Sequence, residues 1–208
     1  MWKRKLLCVL TLCAVVLTAT EGAGLAAAQK AKKKKSSQSP LKLMEQFDKK
    51  CGAISKQLGD IANKTVAYNK PATQKKAEEF NSDDIFEVTW SKNGTVVEGY
   101  TNPKNGKSSW YGITTTDPNL VFAGGVRVGA STKVLEQYFK GLLNRPMPKP
   151  EDGYDWWFEY HNTLTSEGSG KIASFGEDDG FSIEYKNGKI TSISVGSLAD
   201  WASTEVMM

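Results

Sequence analysis

Histidine is almost missing from this 208-residue chain, with His161 the only one. A single imidazole cannot supply the usual ligand set of a catalytic zinc site. Cysteine is scarce too, limited to Cys8, Cys13 and Cys51. The first two sit in an apolar N-terminal stretch, so a chain cut after that stretch keeps only Cys51 and forms no internal disulfide. Gly124-Gly125 and Gly129 precede an expected helix start, where backbone N–H groups can bind anions. That turn lacks a Gly-Lys-Ser/Thr ending, and no G-x-G-x-x-G is present, so nucleotide binding is not expected. The acidic turns Asp83-Asp84 and Glu177 to Gly180 lack EF-hand spacing and read as polar caps before strands. No cofactor, metal site or catalytic residue is assigned.

Long apolar runs are also lacking. Leu6 to Ala19 falls short of the roughly 20 residues that span a bilayer. Lys3, Arg4 and Lys5 precede that run, and Ala26-Ala27-Ala28 follows it. This is the layout of a secretory signal peptide over residues 1–28, with cleavage expected between Ala28 and Gln29. Cys13 follows Leu10-Thr11-Leu12, without the small residue that a lipoprotein cleavage site needs. The expected location is therefore secreted, periplasmic or cell-envelope. The scarcity of cysteine in an exported chain points to a bacterial product held by its core.

Charge is segregated. Residues 29–50 hold eight lysines and two acids, a net +6, while residues 81–208 hold eleven basic and seventeen acidic residues, a net −6. A basic arm thus precedes an acidic domain. Residues 29–39, rich in Lys, Ser and Gln, read as a disordered leader. Lys32, Lys33, Lys34 and Lys35 are its candidate polyanion contacts, toward anionic wall polymer or phospholipid headgroups. Nucleic acid is not an expected partner.

From residue 40 the pattern is that of a single α+β domain ending at 208. Ser39-Pro40 gives an N-cap and a first-turn proline. Met44, Phe47, Cys51, Ile54, Leu58 and Ile61 then recur on one helix face. Cys51 belongs to that stripe and reads as a small core residue. A second short helix is expected over 72–80. From Ile85 the period becomes two: Phe86, Val88 and Trp90 face one way, Asn93-Gly94 turns, and strands follow at 95–100 and 108–115. Ser131 opens a helix expected to end at Gly141, and strand 154–161 follows a proline-rich loop. Residues 163–179 read as a polar loop. Phe181, Ile183 and Tyr185 alternate before Asn187-Gly188, and Ile190 to Val195 returns. A three-residue loop with a left-handed Gly188 in a bulge would put Ile193 on the face of Phe181. The two hairpins, F-x-V-x-W-S-K-N-G and F-x-I-x-Y-K-N-G, suggest two helix-plus-three-strand halves, 40–116 and 117–208, packing helices on an antiparallel sheet.

Val126 to Gly141, V-R-V-G-A-S-T-K-V-L-E-Q-Y-F-K-G, and the closing F-x-I-x-Y-K-N-G-K-I-T-S-I carry a resemblance. They resemble segments of small exported bacterial modules, the β-lactamase inhibitor protein-like fold and the small outer-membrane lipoprotein A family. The resemblance implies helices packed on an antiparallel sheet, and binding or assembly instead of catalysis. The same residues also have a purely structural reading, in which Gly129 turns, Ser131 caps, and Val134 and Tyr138 bury.

The densest aromatic run is Asp155 to Tyr160. Strand alternation sends Trp156, Phe158 and Tyr160 to one face, read as core. It sends Asp155, Trp157, Glu159 and His161 to the other, the candidate binding site if the sheet has a wet face; the alternative is that loops or helices cover both faces. An exposed tryptophan is a good anchor for a protein or glycan partner. A Glu159–His161 pair could also do acid–base work, although no motif places a nucleophile beside it. The expected function is an exported, non-enzymatic binding or envelope-assembly module for a protein or envelope component. The alternative is adhesion to anionic wall or membrane through the lysine arm, with a hydrolase ranked third.

Overall fold

A computed structural model of the chain describes residues 39–78, 84–147, 159–176, 179–197 and 206. Helix α1, Pro40–Tyr68, starts where the Ser39 side chain accepts a hydrogen bond from the Lys42 N–H and Pro40 takes the first turn. Its buried stripe is Leu43, Phe47, Cys51, Ile54, Leu58 and Ala62. The middle of this stripe is as expected. At its ends Leu43 and Ala62 replace Met44 and Ile61, which are half-buried. An alternation of three and four residues drifts around a helix of 3.6 residues per turn, so the error accumulates toward the ends. Asn69 closes the helix, its N–H and its side-chain amide both donating to the Thr65 carbonyl.

The stripe lies on an eight-stranded antiparallel sheet. Its strands are β1 (Thr73–Lys76), β2 (Phe86–Lys92), β3 (Thr95–Asn102), β4 (Lys107–Thr115), β5 (Glu159–His161), β6 (Gly170–Phe175), β7 (Asp179–Lys186) and β8 (Lys189–Ser197). Their order is β1-β2-β3-β4-β8-β7-β6-β5. Two four-strand meanders therefore meet edge to edge where β4 pairs with β8. The mixed α+β class stands, but each meander has four strands where three were expected.

Both added strands correct the sequence reading. Thr73–Lys76 is a strand and not part of a short helix over 72–80. All four of its residues are exposed, because an edge strand of this kind carries no buried face and so leaves no apolar alternation to read. Gly170–Phe175 lies inside the stretch read as a polar loop. Only Ile172 marks its core face with a large apolar residue, and Ala173 and Ser174 blur the period. The helix after Ser131 is also shorter than expected. Helix α2 spans Lys133–Tyr138 with Thr132 at its cap, while Ser131 accepts from the Lys133 N–H. Leu135 and Phe139 are the buried residues there, whereas Val134 and Tyr138 are half-buried. Gly129, expected to turn the chain, does so in the left-handed region at φ +81°.

The last hairpin differs in an instructive way. Asn187 and Gly188 both have positive φ, 51° and 69°, and Lys186 pairs with Lys189. This is a two-residue turn of the mirror-image kind that suits twisted hairpins. The bulge lies further along. Glu184 pairs with Ser192 and Tyr185 with Ile190, which leaves Thr191 as the extra residue. That extra residue returns Ile193 to the core face opposite Ile183, with Val195 opposite Phe181. The face assignment of Ile193 was right, and the device that achieves it was misplaced. A Cβ on Gly188 would stand 2.9 Å from the Ser166 carbonyl oxygen at a strained φ. Gly188→Val is therefore expected to cost about 1–3 kcal/mol, read as a lowered melting temperature. An unchanged melting curve would contradict the turn assignment.

Candidate functional site

The sheet has a covered face and an outer face. On the covered face Trp90, Val97, Ile113 and Phe181 pack in the same buried cluster as the α1 stripe. The outer face is set by register. Val96 pairs with Thr114, Thr114 with Ser194, Ser194 with Ser182, Ser182 with Ala173, and Ala173 with His161. The adjacent row runs Glu98, Gly112, Gly196, Gly180, Phe175 and Glu159. The central strands therefore present small side chains or none, and large groups stand at the ends of the rows.

The glycines let those large groups lie down. A Cβ on Gly180 would stand 2.6 Å from Cδ1 of Phe175, so the ring rests directly over that backbone. A Cβ on Gly112 would stand 3.3 Å from Oε2 of Glu98.

One corner gathers unlike groups. Lys171 Nζ is 4.8 Å from the centre of the Phe175 ring, and the His161 ring meets Phe175 edge to face at 6.0 Å. His161 Nε2 lies 2.6 Å from Glu159 Oε1, an ion pair when the imidazole is protonated, and Nε2 is buried without a hydrogen-bond partner. Glu159 is the more exposed partner, 68% against 34% for His161. Two of the four sequence-derived site residues are thus brought together on the outer face. Asp155 and Trp157 lie outside the described residues, as do Trp156, Phe158 and Lys32 to Lys35. Tyr160, read as core, does turn inward. Its ring meets Phe47 edge to face at 5.9 Å.

The opposite end of the outer face is closed. Val206 is fully buried with Ala77, Ile85 and Tyr100. Its carbonyl accepts from the Asn105 side chain at 3.0 Å. Tyr111 stacks near Tyr100 at 5.1 Å and donates to Glu87 at 3.0 Å. Hydrogen bonds from Lys75 and then Tyr111 hold the Glu87 carboxyl below its usual range. Burial, then Glu87, pushes the Tyr111 phenol upward.

Asp48 was not singled out from sequence. It sits on α1, where Oδ2 accepts from the Tyr160 hydroxyl at 2.9 Å and Oδ1 from Ser174 at 2.8 Å. One carboxylate thereby fastens the helix to β5 and β6. Asp48 and Cys51 line an open pocket of about 170 Å³, smaller than the ~300–1,000 Å³ of small-molecule sites. Burial, and then Asp48, raises the Cys51 thiol well above its usual range. Little nucleophilic thiolate forms under such conditions. Thiol labelling of the native protein is expected to be slow until denaturant is added, and fast native labelling would show the helix face to be misassigned.

Among the described residues, no three His, Cys, Asp or Glu side chains gather as a metal site. None of the described helices is long and apolar enough to cross a membrane. Comparison of the chain with protein-family models, curated proteins and solved structures gives no match.

Proposed function

We propose that this chain is an exported, non-enzymatic binding module that receives a partner protein on the outer face of its sheet. The observation that carries the reading is the pair of in-register rows across the central strands, Val96 to His161 and Glu98 to Glu159. Thr114, Ser194 and Ser182 leave the middle of the rows at least partly exposed, where a partner's larger residues can approach closely, while Ala173 at the β6 end is fully buried. The Phe175, Lys171, His161 and Glu159 corner supplies aromatic and charged contacts of the kind that anchor interfaces. The two four-strand meanders meeting at β4 and β8 further support reading the domain as two like halves.

Ser182→Arg places a long charged side chain in the middle of this face. The variant is expected to melt like the parent and to lose a partner that the parent retains from envelope extracts. Equal retention by both proteins would refute the face. Export is tested separately. The exported protein should begin near Gln29, and an intact Met1 on exported material would sink that part of the reading.

The net +6 of residues 29–50 favours a second, compatible reading, adhesion to anionic wall or membrane. Salt-sensitive sedimentation with envelopes, lost on deleting residues 29–39, would support it. Salt-independent sedimentation would count against it.

A further inference from the structure

A second site lies at the other end of α1, between its last turns and the start of β4, where a pocket of about 580 Å³ opens. That volume falls within the ~300–1,000 Å³ typical of small-molecule sites. Asn63, Val66, Ala67, Ser108 and Trp110 are among the residues lining it, and no lining residue is charged.

The tryptophan is fixed from two sides. Trp110 Nε1 donates to Asn63 Oδ1 at 2.8 Å. Cζ2 of the ring passes 3.6 Å from where a Cβ on Gly59 would stand, an ordinary contact distance, so the ring lies against α1 at that turn. With its N–H already used, the half-buried indole offers the pocket mainly its π surface. Beside that surface stand groups that donate and accept without charge. The Asn63 amide nitrogen makes no hydrogen bond among the described residues. The Ser108 hydroxyl shares a hydrogen bond with Thr101 at 2.8 Å and keeps acceptor capacity.

An aromatic plate held by one hydrogen bond and flanked by neutral amide and hydroxyl groups has the chemistry that holds a pyranose ring. The C–H face of the sugar packs on the indole while its hydroxyls exchange hydrogen bonds with Asn and Ser. A charged ligand would find no counter-charge in the lining, and a wholly apolar one would leave the amide and hydroxyls unsatisfied. We propose that this pocket binds an uncharged saccharide, one or two rings long. The proposal is independent of the outer-face reading.

The test is calorimetric titration of the full chain with N,N′-diacetylchitobiose, cellobiose and maltose, with adenosine as a stacking ligand that is not a sugar. At least one disaccharide is expected to bind with a dissociation constant of about 1 mM or tighter. Ala67→Arg should abolish that binding by filling the pocket mouth, at an exposed position near the helix C-terminus where a cation is favourable. Its melting temperature should not fall. Trp110→Phe keeps a ring against α1 but shrinks the plate, and should weaken binding about tenfold, which is 1.4 kcal/mol. No heat from any disaccharide at about 10 mM would overturn the proposal. So would tighter binding of adenosine, or disaccharide binding that both variants leave unchanged.

Discussion

Phe47→Ala is expected to lower folding stability by about 3–5 kcal/mol, the cost of emptying a fully packed aromatic site. Phe47 is completely buried. Its ring lies 5.2 Å from that of Phe139 and 5.9 Å from that of Tyr160. It therefore joins α1 to the turn after α2 and to β5, segments far apart in sequence. The neighbouring Asp48 ties that strand and β6 to the helix by accepting hydrogen bonds from Tyr160 and Ser174. Loss of the ring would leave these polar links without the packing that positions them. Chemical denaturation measures the effect, and a loss below about 1 kcal/mol would mean that the site collapses freely or that α1 docks differently.

Gly99→Val is expected to be comparably damaging. Between Glu98 and Gly99 the β3–β4 register shifts, leaving Tyr111 as the extra residue. At this bulge the two backbones come so close that a Cβ on Gly99 would collide with the Ser109 carbonyl oxygen and stand 2.7 Å from the Trp110 Cα. Neither atom is the end of a flexible side chain, so the strands themselves must separate. The expected cost is about 3 kcal/mol or more, at or beyond the upper end for overpacking. The extra residue, Tyr111, packs 5.1 Å from Tyr100, which alternation along β3 places on the outer face, buried with Ile85 and Val206. The variant should therefore also release the closed end of that face. Near-parent stability on denaturation would show that the bulge is not where the register places it.

The parts of this fold that could be read in sequence are those whose signal is local. The α1 stripe follows from apolar spacing, and β2, β3, β7 and β8 follow from alternation around Asn93-Gly94 and Asn187-Gly188. β1 could not be read, because four exposed residues on an edge show no period. β6 could not be read, because Ala173 and Ser174 are small enough to sit on either face. The bulge at Thr191 shows a subtler limit. The pattern required Ile193 to rejoin the core face, yet an irregularity anywhere between Tyr185 and Ile193 would satisfy it.

The candidate site divides along the same line. Glu159 and His161 share a face by simple alternation on one strand. The row Gly112, Gly196, Gly180 and Phe175 draws on four strands, and only the cross-strand register brings those residues together. No spacing within a single segment could have found it.

The central claim is that the outer face of the sheet, and not the helix side, receives a protein partner. Photo-crosslinking tests it most directly. A photoreactive phenylalanine is placed at Ser182, in the middle of the face, and in a second protein at Lys56, exposed on α1. Both are irradiated in intact envelopes of the source cells. The account predicts one discrete crosslinked species from position 182, none from position 56, and loss of the first when excess unlabelled protein competes. Crosslinking from position 56 alone, or equally from both positions, would contradict it.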